Sequence, residues 1–192
     1  MSQIDIHMLV LGNERADWLE QAVRSVPTDL CKLHVVDGVP GHIGQARVRA
    51  YQLGNAPLVG FIDPDDWFAP GAVEQCLEFL RHRPRCAGVA TWEIVIDYFA
   101  RRCYPARGKH GLKLYRRDWI ARHYEEMASD PAQSTDIRIA MKPEIVELPL
   151  IGRYWRKYPS EAFRIRKRLG LHARMPDEVD LSDDWLPDEI TC

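Results

Sequence analysis

The chain contains no apolar stretch of the roughly 18 residues that a membrane-spanning helix needs. Its start also lacks the basic-then-apolar pattern of a secretory leader, so a soluble, cytoplasmic protein is expected. Cysteine is sparse and odd in number: Cys31, Cys76, Cys86, Cys103 and Cys192, with no Cys-x-x-Cys spacing. That pattern speaks for free thiols in a reducing compartment rather than a disulfide framework. Cys76, His82 and Cys86 lack a fourth ligand at matching spacing, which argues against a structural zinc site. There is also too little chain for two full domains, since 192 residues with 46% hydrophobic content suit a single core. Net charge is only -2, but it is unevenly distributed.

The most informative stretch is Val59-Gly60-Phe61-Ile62-Asp63-Pro64-Asp65-Asp66-Trp67-Phe68, an apolar run that delivers three carboxylates to one loop. Ionised carboxylates are acceptors only and repel one another, so unpaired neighbours call for a cation or for donors. Hard oxygen ligands, few in number, suit Mg²⁺ or Mn²⁺ shared with substrate phosphates. The competing explanation is an ordinary acidic turn in which Asp65 or Asp66 caps the following helix.

Periodicity places this loop in a layered α/β fold. Ile4 to Leu11, Leu33 to Val36 and Leu58 to Ile62 are short apolar runs bounded by turn residues, as buried parallel strands are. Between them, Trp18, Leu19, Ala22, Val23 and Val26 recur at helical spacing, and Ala46 to Leu53 predicts a second helix. Pro70 starts a third over Gly71 to Leu80. Further on, Gly88 to Tyr98 and Leu112 to Tyr115 read as extended, while Asp118 to Met127 and Asp136 to Met141 read as helical. An open, mostly parallel sheet with flanking helices is expected, with ligands beyond the carboxyl ends of its strands, where Asp37 and Asp63 to Asp66 lie.

Several pieces in order give the chain a family likeness. They are Leu11-Gly12-Asn13-Glu14 after the first strand, Asp37 after the second, Gly44-Gln45-Ala46-Arg47, the Asp63-Pro64-Asp65-Asp66 loop with Pro70 beyond it, Gly111 to Arg117 with its Arg116-Arg117 pair, and Thr135-Asp136. Together they resemble the family 2 glycosyltransferases of GT-A type from about Ile6 to about Ser160. The resemblance implies a metal-dependent inverting enzyme that uses a nucleotide sugar, with UDP as the expected nucleotide. Leu11, Asn13, Glu14, Asp37, Arg47 and Asp63 are then expected at the nucleotide sugar, Asp65 with Asp63 at Mn²⁺ or Mg²⁺, and Asp136 as the base. Arg153 and Lys157 fall in a stretch similar to a Tyr-Arg-x-x-x-Ser loop that closes on the donor pyrophosphate. The chain departs from the pattern at Thr135, where the family carries Glu, at Gly38 and at Val48.

The last third is strongly polarised. Eight cations lie between Arg153 and Arg174 against one acid, Glu161, with Tyr154, Trp155, Tyr158 and Phe163 interleaved. Such a segment suits a diphosphate, an anionic membrane surface or a nucleic-acid backbone. From Pro176 the chain carries seven acids and no Lys or Arg, and it is expected to fold back on the basic segment or stay disordered. The expected organisation is a catalytic domain over 1–150, a basic aromatic segment over 151–175 and an acidic tail over 176–192. The acceptor would be a glycan or lipid-linked sugar, or a hydroxymethylated base in DNA reached through residues 153–174. Three alternatives remain at this point. One is a haloacid dehalogenase-like phosphatase, with Asp183-Asp184 as its second acidic pair; the others are a sugar nucleotidyltransferase and a non-catalytic nucleotide-binding protein.

Overall fold

A computed structural model describes residues 2–130, 135–158, 169 and 179–191. Its first half follows the element order that the periodicity predicts, except that Leu33 to Val36, expected as a buried strand, lies in a half-exposed strand at the sheet edge. Strand β1 (Ile4–Val10), helix α1 (Ala16–Arg24), strand β2 (Cys31–Asp37), helix α2 (Ile43–Tyr51) and strand β3 (Leu58–Phe61) follow one another, and β1 pairs in parallel with both β2 and β3. Ile4, Ile6 and Met8 are fully buried, as expected for a strand covered on its inner face. A two-residue strand β4 (Trp67–Phe68) follows the acidic loop, and helix α3 (Ala72–His82) buries Val73, Cys76, Leu77 and Leu80 against the same core.

The second half widens the sheet. It contributes β5 (Gly88–Asp97), β6 (Arg102–Ala106), β7 (Lys113–Arg116), helices α4 (Arg117–Ala121), α5 (Tyr124–Ala128) and α6 (Thr135–Ala140), and β8 (Ile145–Lys157). Strand order is β2-β1-β3-β7-β5-β8-β4, with β6 attached to β5. The long pairings, β1 with β2 and β5 with β8, are parallel, and the antiparallel ones are short, so the sheet is mostly parallel with flanking helices. Among the described residues no helix is long and apolar enough to cross a membrane.

Three features differ from the sequence expectation. The helix expected over Asp118 to Met127 is two helices, interrupted at His123, whose backbone (φ -109°, ψ 5°) leaves the helical region while its ring packs 4.4 Å from that of Trp119. Strand β6 was not anticipated; it contains Pro105, which is tolerated because β6 pairs only with β5 and so lies at an edge. The stretch expected as a loop from Arg153 is instead the end of β8, a strand that runs unbroken across position 150. Pro149 and Gly152 hide it in the sequence, because both mark irregularities in its pairing with β5. Register shifts fall between Thr91 and Trp92 and between Trp92 and Glu93, and they bring Arg153 directly opposite Glu93.

Residues 179–191 of the acidic tail pack back on the core. Val179, Leu181, Trp185, Leu186 and Ile190 pack on Trp18, Trp67, Ile96 and Tyr98, and the chain ends its described part in a short helix α7 (Asp188–Thr191). Asp183 accepts hydrogen bonds from Tyr98 and from Arg156, which belongs to the basic stretch. The cations Arg164, Arg166, Lys167, Arg168 and Arg174 lie outside the described residues.

Gly44, from the Gly-Gln-Ala-Arg piece, owes its identity to packing. A Cβ there would sit 2.0 Å from the carbonyl oxygen of Met127, because α2 and α5 approach backbone to backbone. Gly44→Ala is therefore expected to destabilise the fold by about 1–3 kcal/mol, as overpacking against rigid backbone does. Urea unfolding checks it, with a lower midpoint at an unchanged slope as the expected result.

Candidate active site

The carboxyl ends of β1, β2 and β3 open onto a cavity of about 700 Å³. Its walls come from Leu9 in β1 and Leu11, Asn13 and Glu14 after it, from Gly38 to Gly41 after β2, and from Asp63 to Asp66 after β3. Trp155, Tyr158 and Leu181 close the far side. The turn after β1 is held by Glu14, whose carboxylate accepts the backbone N–H groups of Leu11 and Gly12. Burial opposes ionisation of Glu14, but these N–H groups outweigh it and hold the carboxyl below its usual range. Gly12 permits the turn through its positive φ of 82°. Leu11 is 58% exposed, an apolar surface kept open on the cavity wall.

A second cavity of about 510 Å³ adjoins the first and shares two residues with it, Asp63 and Trp155. It is lined by Glu93, Tyr104, His110, Lys113, Asp136, Ile137 and Arg153. Asp63 is the hinge between the two spaces. Arg47 donates to Asp63 at 3.1 Å and to Asp136 at 3.1 Å, and Arg153 approaches the other oxygen of Asp63 at 3.4 Å. Burial alone would raise the Asp63 pKa, yet the guanidiniums of Arg47 and Arg153 prevail and hold it below the usual carboxylate range. Arg47 is buried and lies with its guanidinium 3.7 Å over the Phe61 ring.

The three carboxylates of the loop thus have different fates, which corrects the expectation that all are unpaired. Asp63 sits between two arginines. Asp66 is fully buried, accepts the backbone N–H of Arg156 at 2.9 Å and has its second oxygen 3.2 Å from Arg153 without hydrogen-bond alignment. Burial pushes the Asp66 carboxyl well up, against the opposing pull of Arg153. Asp65 has no ion pair of this kind among the described residues. Burial first, then the charge of Asp63, raise its pKa to about 6, while Tyr158 donates a hydrogen bond to it. A carboxylate short of countercharge beside Asp63, in the same cavity, is chemically suited to a divalent cation. Among the described residues no three His, Cys, Asp or Glu side chains converge as a closed cage. The donor set therefore fits an ion whose remaining ligands are substrate oxygens.

The remaining expected residues are placed as follows. Asp37 is exposed at the end of β2 and lines neither cavity; its carbonyl accepts from Arg49. Arg153 lines the second cavity, where it also binds Glu93 at 2.6 Å and the His110 carbonyl at 3.0 Å. Lys157 lines neither cavity and pairs with Asp97 at 3.1 Å. The Arg116-Arg117 pair staples the fold: Arg116 donates to carbonyls of Cys86 and Leu80, and Arg117 to Asp5 and to the carbonyls of Ala56 and Tyr51. Thr135, in place of Glu, is buried and donates to Asp130 at 2.9 Å. Sequence reasoning missed Glu93, Tyr104, His110 and Lys113. Lys113 is buried under the second cavity, its pKa lowered to about 8 by burial and then by Arg153, and it donates to the carbonyls of His110 and Gly111. A lysine at a buried position of an apolar strand was the one available signal.

No protein-family model matches the chain, and no curated protein matches it in sequence. Solved structures do match in fold. The S. aureus TarS structure superposes with a TM-score of 0.60 at 14% identity over 88% of this chain, which spans 39% of that chain. TarS 1-349 in complex with UDP gives 0.57 at 12% identity, and the complex with UDP-GlcNAc gives 0.56 at 11%. This chain covers 64% and 65% of those two, respectively. The fold is similar to that of TarS, a GT-A-type glycosyltransferase.

The raised Asp65 pKa has a consequence for the ligand-free protein. A carboxyl whose folded pKa lies above its unfolded value stabilises the fold below the unfolded pKa, and that stability is lost as pH rises from about 3.8 through about 6. Asp65→Asn is therefore expected to melt at a higher temperature than the parent at pH 7, with the difference vanishing below about pH 4. Thermal melts across pH in the presence of EDTA provide the check.

Proposed function

We propose that this chain is a nucleotide-sugar glycosyltransferase, with a UDP-sugar in the first cavity and an acceptor hydroxyl in the second. The observation that carries the reading is the junction of the two cavities at Asp63 and Trp155, with the metal-suited carboxylate Asp65 on one side and Asp136 on the other. A donor laid across the first cavity would present its sugar at that junction, within reach of a nucleophile held in the second. The fold likeness to TarS, solved with UDP and with UDP-GlcNAc, supports the same donor class.

Each residue then has a stated task. Leu11 and the Gly38 to Gly41 turn offer an apolar wall and backbone groups to the base, and the start of α2, which has no side-chain cap, borders the space for the phosphates. Asp65, with Asp63 beside it, would hold Mn²⁺ or Mg²⁺, which when bound supplies countercharge to the diphosphate leaving group. Asp136 accepts the proton of the acceptor hydroxyl as it attacks the anomeric carbon, and a single displacement inverts the configuration. Arg47 holds Asp136 in place beside Asp63, since one of its nitrogens donates to both carboxylates. Trp155 offers an aromatic surface to the sugar at the junction.

The inner acceptor cavity favours a neutral, hydroxyl-bearing acceptor such as a glycan over a nucleic-acid backbone. Its cations are already engaged: Arg153 by Glu93, Asp66 and Asp63, and Lys113 by two carbonyls. Carboxylates of Asp63, Glu93 and Asp136 line the same space and would repel phosphate. The phosphatase alternative loses its second acidic pair, because the Asp183 carboxylate is taken by Tyr98 and Arg156.

Two substitutions test the assignment. Asp65→Asn is expected to abolish the Mn²⁺-dependent part of UDP binding in calorimetry with the fold intact. Equal UDP affinity of the parent protein with Mn²⁺ and with EDTA would remove the metal from the mechanism. Asp136→Asn is expected to lower turnover by about 10²–10⁴-fold with UDP-sugar affinity near that of the parent, as loss of a general base does. Undiminished turnover would leave Asp136 only its pairing with Arg47.

A further inference from the structure

Arg156 is among the largest fully buried side chains and itself lines neither cavity; it lies behind the wall of the first. It alternates with Trp155 along β8, so the two point to opposite faces of the sheet. Its guanidinium is sandwiched between Trp18 at 4.6 Å and Trp67 at 4.3 Å. From there it donates to the Asp65 carbonyl at 2.6 Å, to the Tyr98 hydroxyl at 2.9 Å, to Gln21 and to Asp183 at 3.1 Å. Its backbone N–H binds Asp66 at 2.9 Å. One residue thus grips the main chain at Asp65 and the side chain at Asp66 while its countercharge comes from the C-terminal segment.

That segment reaches the donor cavity as well. The Leu181 carbonyl accepts from Arg15 at 2.9 Å, Arg15 lies 4.2 Å over Trp18, and both Leu181 and Arg15 line the cavity. Trp185 packs edge-on against Tyr98 at 5.7 Å. A buried guanidinium without a carboxylate partner is costly. Asp183 is the one carboxylate among the described residues that forms an ion pair with Arg156.

We propose that Asp183, acting through Arg156, is a positioning residue of the donor site, so that the C-terminal segment sets the backbone of the Asp65 loop and with it the aim of the Asp65 carboxylate. The proposal rests on the donor-site reading for what the loop does, but the positioning itself is measurable without any ligand. Two amides report on the loop: Asp66 N–H, bonded to the Asp63 carbonyl at 3.1 Å, and Phe68 N–H, bonded to the Ser25 hydroxyl at 3.0 Å.

Hydrogen exchange of the full chain, without ligand, tests this in Asp183→Asn and Arg156→Lys. Ile120→Ala, in a core cluster that contains no residue of 63–68, serves as a control of comparable melting temperature. Exchange in the peptide spanning 63–68 is expected to be about tenfold faster in the first two, the factor for losing one hydrogen bond to a charged group, and unchanged in the control. Equal exchange of that peptide in parent and Asp183→Asn, or equal acceleration in the control, overturns the proposal. UDP titrations with Mn²⁺ and with EDTA run in parallel: affinity with Mn²⁺ is expected to fall in both variants, and the Mn²⁺-to-EDTA ratio with it. A loosened loop with an unchanged ratio overturns the link to Asp65. A parent protein that binds no UDP refutes the donor-site reading instead, and the exchange result stands apart from it.

Discussion

A single carboxylate held between two arginines organises this protein. Asp63 follows β3, the strand that enters the sheet beside β1, and Arg47 from α2 and Arg153 from β8 meet its two oxygens. Both guanidiniums are largely removed from water, so neither could remain there without acids to receive it. Arg47 extends the network to Asp136 and Arg153 extends it to Glu93 and Asp66, which joins acids from separate parts of the chain in one alternating array. The relative placement of both cavities follows from that array.

The same array explains why Asp65 is chemically distinct from its neighbours. Three carboxylates within one short loop cannot all find cations from a fixed supply of two arginines, and the two closest to the sheet take them. Burial and the field of Asp63 raise the Asp65 pKa to about 6, against the hydrogen bond that Tyr158 donates. That deficit of countercharge suits Asp65 to a divalent ion, the role proposed for it with Asp63 beside it. On the opposite face of β8, Arg156 lies between two tryptophans and joins the loop to the C-terminal segment, so the two faces of one strand serve the two ends of the site.

Much of the architecture was readable from local pattern. Apolar runs with turn residues at their ends located β1, β2, β3, β5 and β7, and helical spacing located α1, α2 and α3, because such runs and amphipathic helices leave period-specific signatures in the residues themselves, although β2 proved to be a half-exposed edge strand. The Asp63 to Asp66 loop was readable for the same reason, since its chemistry is contiguous. Strand β8 was not: Pro149, Gly152 and its basic residues obscure a strand whose bulges exist only through its pairing with β5.

Pairing across distance is where sequence stops. The residue types at Arg47, Asp63, Asp136, Glu93 and Arg153 are visible along the chain, but which guanidinium meets which carboxylate depends on sheet order and register, and a bulge of one residue redirects a side chain to the other face. Arg153 and Lys157, on the same strand, illustrate this: one lines the second cavity and the other is absorbed by Asp97. Element types and the acidic loop were written in local composition, which acts over a few residues. The partition of that loop into one carboxylate short of countercharge and two paired ones arose from long-range electrostatics that only the packed sheet creates.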